Sequence, residues 1–205
     1  MSALFAFRKD MEMGEFGKRQ NWDGGNMLYP LPVIMVSVRD PQTRKDNIIT
    51  LAWAGTICSD PPMVSISVRK ERFSHPMLMA AKEFVINLTT KELAFATDLC
   101  GVKSGRDVDK FELAHLTRGE ASKIDAPLIM ESPVNLECRV EQVLELGSHD
   151  MFIAKVIGVD IDENYLDENG KFRLNDSDLL AYSHGEYFNL GEKLGSFGYS
   201  VRKKK

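Results

Sequence analysis

The stretch DNIITLAWAGTICSDPPMVSISVRKERFS, residues 46–74, decides the fold. Its first part, Asn47–Ala54, has the β-branched and aromatic content of a β-strand. The segment Ser59-Asp60-Pro61-Pro62 interrupts the pattern, because each proline lacks an amide donor and has a fixed φ. A second run, Met63–Val68, alternates between two faces as a half-buried strand does. The stretch therefore predicts two strands joined by a polar connection.

The second run leads into a basic loop that has the features of an anion site. Small polar side chains, including Ser67, precede the loop 69–72, which contains three cations, and Ser74 follows. Ser74 is predicted to be a helix N-cap, with Pro76 just inside the helix. A phosphate would gain from the amides at that helix start and from the two-pronged cation of Arg69. These residues could hold a flat, phosphorylated ligand; the alternative is an ordinary cap beside a solvated loop.

The composition is that of one globular domain with a slightly acidic balance. Of its 205 residues, 43% are apolar and 27% are charged, so the chain can bury one sizeable core. The net charge of −4 argues against nucleic acid as the main partner, since phosphate backbones attract basic surfaces. No apolar run reaches the length of a membrane helix, and the N-terminus lacks the apolar core of a signal peptide. We expect a cytoplasmic protein with no membrane partner.

The three cysteines, Cys58, Cys100 and Cys138, are widely separated. An odd number without CxxC spacing argues against a disulfide framework and against a thiolate metal site. We expect each to be a small buried hydrophobe. A reactive role stays open for Cys58, because it lies inside the central stretch.

The rest of the chain predicts more strands than helices. Further strands are expected at Val33–Val38, Phe84–Leu88, Val134–Leu146 and Met151–Ile161. Helices are expected at Pro76–Lys82 and from Thr90 to Leu99, the second ending at Gly101. Several turn-linked strands favour a β-barrel over a parallel α/β sheet, and no GxGxxG motif follows a strand. We expect an irregular arm at 1–28 that packs on the domain or a partner subunit, one domain at 29–200, and a solvated basic tail at 201–205.

Three residues outside the basic loop are candidates for binding a ring, and a fourth is a candidate catalyst. Trp53 is either a core residue or the flank of a planar heterocycle. Asn47 and Thr50 lie upstream on the same strand and could bond the carbonyls and imide of a ring, although Asn47 could instead only end a turn. His149 follows the Gly147-Ser148 turn and is either a turn residue or a catalyst.

The other titratable residues show no site pattern of their own. Lys103, Arg106 and Lys110 have the spacing of a solvated loop. The remaining histidines lack metal-ligand spacing, and no nucleophile-elbow sequence accompanies a Ser-His-Asp set. From the residues alone, the chain is a β-rich domain with a candidate phosphate-binding loop and no metal site.

An ordered set of motifs resembles a known family. The matching segments are LPVIMVSV (31–38), DNIITLAWAGTICSDPPMVSISVR (46–69), FVINL (84–88), SGRDVDKF (104–111), APLI (126–129), NLECRV (135–140) and GSHDMFIA (147–154). The chain resembles the flavin reductase-like proteins with an FMN-binding split barrel, in particular the flavoredoxin branch. The resemblance covers residues 29 to 200.

The resemblance implies a mainly β fold, a Greek-key split β-barrel with a few short helices, that works as a homodimer. It implies non-covalent FMN against the second and third barrel strands. The cofactor-binding residues that it implies are Asn47, Thr50, Trp53, Ala54, Ser67, Arg69, Ser74, Lys110, His149 and Tyr182. No catalytic residue is assigned; the candidates are His149 and Lys110, because a cation or donor near one ring edge would raise the flavin potential.

The implied function is an FMN-dependent oxidoreductase of the flavin reductase or flavoredoxin type. Its electron donor would be NAD(P)H or a redox-protein partner, although no dinucleotide-binding motif is visible. In such an enzyme the flavin carries the redox chemistry and the protein supplies position and electrostatics. One alternative is a non-catalytic flavin-binding or flavin-carrier module, and another is a barrel whose pocket is empty.

Overall fold

A computed structural model describes residues 19–201. The expectations for the rest of the arm and for the end of the basic tail lie outside these residues. Residues 19–28 contain no helix or strand, as expected for the arm. Trp22 is 73% exposed, so in one copy of the chain it does not anchor this segment to the domain.

Twelve strands and three α-helices are assigned within residues 19–201. The strands are β1 (Leu31–Pro32), β2 (Ile34–Arg39), β3 (Asp46–Leu51), β4 (Ala54–Ser59), β5 (Pro62–Arg69), β6 (Glu83–Leu88), β7 (Arg118–Glu120), β8 (Pro127–Ile129), β9 (Val134–Leu146), β10 (His149–Ile161), β11 (Leu180–Ser183) and β12 (Glu186–Asn189). The helices are α1 (Ser74–Ala81), α2 (Ala94–Val102) and α3 (Lys110–Leu113).

Seven strands form one antiparallel sheet in the order β3-β2-β6-β9-β10-β5-β4. Its two edges, β3 and β4, are consecutive in the chain and are separated only by Ala52 and Trp53. The amide of Ser67 in β5 donates to the carbonyl of Trp53 at 2.8 Å, so the two edges of the sheet meet at this bend. The predicted mainly β, split-barrel fold is confirmed.

The predicted single strand Asn47–Ala54 is wrong in one respect. The chain bends at Ala52–Trp53, where the amide of Ala54 donates to the carbonyl of Ala52 at 3.0 Å. The bend carries the chain from one sheet edge to the other. An apolar sequence pattern does not reveal such a bend, because both flanking strands remain β-type.

The strands bury side chains on both faces, because successive side chains alternate across a sheet. Inside the barrel, Val36, Ile66 and Phe152 pack together and are 0% exposed. On the outer face, Met35 and Ile48 are covered by a second set of apolar side chains, including some from α2 and α3. Helices α2 and α3 therefore lie against β2 and β3, whereas Met77 and Leu78 of α1 pack into the barrel core.

Two of the three cysteines are buried as predicted. Burial raises the pKa of the Cys100 thiol to about 11 and that of Cys138 to about 12, so both stay protonated. Cys58 is only half-buried in β4, and its thiol donates to the carbonyl of Asp60 at 3.4 Å. The expectation of a fully buried Cys58 is therefore wrong.

The C-terminal segment forms a small sheet beside the barrel. β11 pairs with both β1 and β12 and is therefore the central strand of three. After β12 the chain is largely exposed, with Leu190 52% and Leu194 87% exposed. Over residues 19–201, no helix is long and apolar enough to cross a membrane. The same residues contain no group of three side chains suited to holding a metal ion.

Candidate functional site

Two neighbouring cavities form one groove along β3. The first, of about 210 Å³, is the cationic cavity; it is lined by Asn47, Ile49, residues 71–74, residues 100–106 and Lys110. The second, of about 260 Å³, is the aromatic cavity; it is lined by Asn26, residues 49–53, Ser67, Arg69, Arg72 and His149. Ile49 and Arg72 line both cavities, so the two are adjacent.

Ser74 and Asn47 form a buried pair at the floor of the cationic cavity. Ser74 is the first residue of α1, and both side chains belong to residues that are 2% exposed. The Asn47 amide Nδ2 donates to Ser74 Oγ at 2.7 Å. The prediction of Ser74 as N-cap is wrong, because Phe73 occupies that position and no side chain caps the helix. Since the hydroxyl accepts from Asn47, its own proton can be donated to a ligand.

The loop between α2 and α3 closes over this pair. Gly105 packs directly against the Asn47 side chain, with no room for a Cβ atom. The Lys45 ammonium donates to the carbonyl of Gly105 at 2.6 Å, and this bond fixes the loop in its position against Asn47. The only sequence signal for this closure is the glycine in SGRDVDKF, and nothing local indicates that it meets Asn47.

Lys110 is the most unusual titratable group in the groove. It is 6% exposed, and its Nζ donates to the carbonyls of Ile48 and Cys100, both at 2.7 Å. Burial lowers the pKa of Lys110 to about 8, and the nearby positive charge of Arg72 adds to the lowering. The prediction of a solvated Lys110, made from the residues alone, is therefore wrong. An ammonium has three donors, so one N–H of Lys110 remains for a ligand.

The cationic cavity carries an excess of positive charge. Four cations and one carboxylate, Glu71, line it, and Glu71 is paired with Arg69 outside it at 3.3 Å. Within residues 19–201, Arg72, Lys103 and Arg106 make no ion pair. In a chain of net charge −4, this concentration of uncompensated cations favours an anionic ligand.

Trp53 and His149 face each other in the aromatic cavity. Their ring centroids are 6.2 Å apart and their planes differ by 17°. Trp53 is 40% exposed, which excludes the interpretation of it as a simple core residue. His149 is the first residue of β10, opposite Arg69 in β5, and its Nδ1 lies 2.9 Å from Ser148 Oγ. An exposed tryptophan beside a nearly parallel imidazole is suited to contact with a planar ring.

Tyr182 extends the aromatic side of the groove. Its ring centroid lies 6.5 Å from that of Trp53, although Tyr182 does not line either cavity. The hydroxyl of its neighbour Tyr187 donates to Asp98 Oδ1 at 3.1 Å. Burial and this contact raise the pKa of Tyr187 to about 12.

The structure brings eight of the ten predicted cofactor-binding residues into one groove. The eight are Asn47, Ser74 and Lys110 in the cationic cavity, and Thr50, Trp53, Ser67, Arg69 and His149 in the aromatic cavity. Thr50 donates its hydroxyl to the carbonyl of Thr97 at 2.6 Å and keeps lone pairs for a ligand. Ala54 packs against the barrel core instead.

Several groove residues are absent from the predicted set. Arg72 joins the two cavities, although the sequence places it only in a basic loop. Lys103 and Arg106 are exposed, as predicted, and both also line the cationic cavity. Their approach to Ser74 depends on the fold of a loop thirty residues away in sequence, and local charge spacing does not contain that information.

These features define a split-barrel protein whose groove has one cationic and one aromatic end. A family model described as the flavin reductase like domain matches residues 26–191, so the chain belongs to the flavin reductase-like family. The structure is similar to the flavoredoxin of Desulfovibrio vulgaris (Miyazaki F), with a TM-score of 0.82 and 27% identity over 90% of this chain and 100% of that one.

Two further comparisons bear on the ligand and on the partner. An FMN-binding protein from Thermus thermophilus, solved with 1-cyclohex-2-enone bound, has a TM-score of 0.72 and 25% identity, covering 90% of this chain and 99% of that one. A protein of Moorella thermoacetica named high molecular weight rubredoxin is 30% identical over 102 residues, which are 49% of this chain and 43% of that protein.

Proposed function

We propose that this protein is an FMN-dependent oxidoreductase that binds FMN non-covalently and takes electrons from NAD(P)H or from a redox protein. The observation that carries the proposal is the pair of adjacent cavities along β3. One offers a buried hydroxyl and a buried ammonium beside cations that make no ion pair within residues 19–201, and the other offers aromatic faces.

The phosphate of FMN would lie in the cationic cavity. Ser74 and Lys110 each retain a donor there, and both are held by buried partners that fix their positions. Arg72 adds charge at the junction of the two cavities. Charge-assisted hydrogen bonds of this kind are stronger than neutral ones, so the phosphate should contribute much of the affinity.

The ring of FMN would lie in the aromatic cavity against Trp53 and His149. Thr50 and Ser67 line the same cavity and offer hydroxyls to the polar edge of the ring. The bound flavin supplies the electron transfer, and these residues orient it and limit the access of water. The T. thermophilus FMN-binding protein supports FMN as the flavin, and the D. vulgaris flavoredoxin supports a bound flavin.

The proposed electron donor is a nicotinamide or a redox protein. The Moorella relative joins a region similar to this chain to further sequence, within a protein named as a rubredoxin. That arrangement supports a rubredoxin-like redox protein as donor or acceptor, beside the nicotinamides that flavin reductases use. A flavin carrier without catalytic turnover is the competing function.

The test is an anaerobic titration of the FMN-loaded protein followed by absorbance. Bleaching of the flavin band by NADH or NADPH on a timescale of seconds supports the reductase. Slow bleaching by both nicotinamides, with fast reduction by a reduced rubredoxin, supports an electron-transfer protein. No reduction by either donor supports the carrier, and failure to retain FMN at all contradicts the whole proposal.

We also propose that the protein is a cytoplasmic homodimer. Exposed apolar side chains lie on the arm and on the C-terminal segment, among them Met27 at 60%, Leu28 at 83% and Leu194 at 87% exposure. A two-fold interface would cover such residues, and dimers of this symmetry are common. Light scattering should give about twice the chain mass of 23.1 kDa, and a monomer at assay concentration would contradict the dimer.

A further inference from the structure

A buried carboxylate, Asp150, lies beneath the groove without lining it. Asp150 is the second residue of β10 and is 4% exposed. Its Oδ2 is 2.8 Å from His75 Nε2, and its Oδ1 is 3.2 Å from the Lys70 ammonium. Lys70 also contacts Glu145 of β9 at 2.9 Å. One carboxylate thus connects β10, α1 and the loop between β5 and α1.

The contacts within this cluster determine where the hydrogen between Asp150 and His75 lies. Burial alone would raise the pKa of Asp150, but the contacts from His75 and Lys70 outweigh it, so the pKa lies below its ordinary value. An ionised carboxylate only accepts hydrogen bonds, so His75 Nε2 must carry a hydrogen and donate it. The His75 ring also meets the Phe152 ring edge-on, with centroids 5.7 Å apart. The imidazole is therefore fixed in position as well as in orientation.

The partners of Asp150 are the direct neighbours of groove residues. Asp150 follows His149 of the aromatic cavity, and His75 follows Ser74 of the cationic cavity. Lys70 stands next to Arg69, which also lines the groove. Burying the Asp150 carboxylate costs desolvation, which offsets the attraction of its partners, so the cluster adds little net stability. Because its members adjoin residues of both cavities in the chain, they are placed to fix the geometry of the groove.

We propose that Asp150 is a positioning residue that holds the start of α1, with Ser74, at a fixed separation from the start of β10, with His149. The two ends of a ring-and-phosphate ligand are then bound by a groove that is already formed, which lowers the cost of ordering on binding. This inference rests on the proposed flavin site. It assigns no contact between Asp150 and the ligand.

The experiment compares Asp150→Asn and His75→Gln with Asp160→Asn as a matched control. Asp160 is a partly buried carboxylate on the same strand, but it lies near Glu137 and ten residues from Asp150. Calorimetry measures the affinity for FMN and for riboflavin, and hydrogen exchange measures the protection of the first turn of α1 in the flavin-free protein. The second variant keeps the test decisive if the first does not fold.

In both Asp150→Asn and His75→Gln, the affinity for FMN should fall about tenfold. This is the effect of losing one charge-assisted hydrogen bond. Exchange in the first turn of α1 should become faster, and the preference for FMN over riboflavin should shrink. The control should keep the wild-type affinities. If Asp150→Asn and His75→Gln lower the melting temperature yet keep the wild-type affinities and the wild-type preference for FMN over riboflavin, Asp150 is structural only and the inference is wrong. Absence of FMN binding by the wild-type protein would instead contradict the proposed function.

Discussion

Gly105 and Asn47 are in such close contact that a Cβ atom at position 105 would lie 1.9 Å from Asn47 Oδ1. Asn47 in turn donates a hydrogen bond to the hydroxyl of Ser74. The loop that carries Gly105 therefore contacts the Asn47–Ser74 pair at the floor of the cationic cavity. A distance this short cannot be tolerated by a real side chain. The residue at position 105 therefore controls the shape of the cationic cavity.

Gly105→Ala should displace either the loop or the Asn47 side chain. Overpacking of this kind costs about 1–3 kcal/mol, and part of that cost should appear as weaker FMN binding. Gly191→Ala is the matched control, because a Cβ there meets nothing within 4 Å. Thermal unfolding and FMN calorimetry check both variants. Unchanged stability and affinity in Gly105→Ala would show that the loop does not close on Asn47.

Ser74→Ala should weaken FMN binding and leave riboflavin binding almost unchanged. The variant removes a hydroxyl donor at the phosphate end, and a hydrogen bond to a charged group contributes about 1.5–3 kcal/mol. Ser177→Ala is the control, because Ser177 is also buried but bonds the carbonyl of Leu174. Equal losses for FMN and riboflavin would place Ser74 away from the phosphate.

The affinity for FMN should fall as the pH rises from 7 to 9. The pKa of Lys110 is about 8 in the folded protein, below its ordinary value of 10.5, because burial disfavours the charged form. The lysine is therefore charged below pH 8 and becomes neutral above it, whereas a bound phosphate favours the charged form. Binding at pH 9 should take up protons, which calorimetry in two buffers of different ionisation enthalpy measures.

Lys110→Met should abolish that pH dependence and lower the affinity at pH 7. Lys155→Met is the control, because Lys155 is an exposed residue of β10. The same linkage has a consequence for stability: the charged Lys110 costs folding free energy below pH 8, and the cost disappears as the pH rises through 8 towards 10.5. A pH-independent affinity in the wild-type protein would remove Lys110 from the phosphate site.

Trp53→Leu should weaken the binding of both FMN and riboflavin, since both carry the ring. Stacking on an aromatic side chain contributes about 0.5–1.5 kcal/mol beyond burial. FMN should quench the tryptophan fluorescence of the wild-type protein, and this quenching should be lost in the variant. Trp22→Leu removes the only other tryptophan of the chain and should retain the quenching. Quenching that persists in Trp53→Leu and is lost in Trp22→Leu would show that the ring does not bind in the aromatic cavity.

The sequence predicts the elements better than it predicts the site. Alternation identifies β9 and the proline segment identifies the turn between β4 and β5, because both depend on local chemistry. The bend at Trp53 and the burial of Lys110 depend on contacts between distant segments. Lys110, for example, is surrounded by Ile48 and Cys100, and no local pattern distinguishes it from a solvated lysine.

The same limit explains the error at Ser74 and why the approach of the loop 103–109 to Ser74 was not predicted. A serine before a helix is usually an N-cap, but here the Ser74 hydroxyl accepts a hydrogen bond from Asn47, which lies 27 residues earlier in the sequence. Seven of the eight groove residues were candidates from the residues alone, and the resemblance to a family added Lys110. It did not supply Arg72 or Gly105, whose roles follow from the fold of this chain.

A crystal structure of the protein with FMN tests the central claim most directly. The groove predicts the phosphate within hydrogen-bonding distance of Ser74 Oγ and Lys110 Nζ, and the ring in contact with Trp53. A flavin bound in the reverse orientation, or outside the groove along β3, would contradict the account.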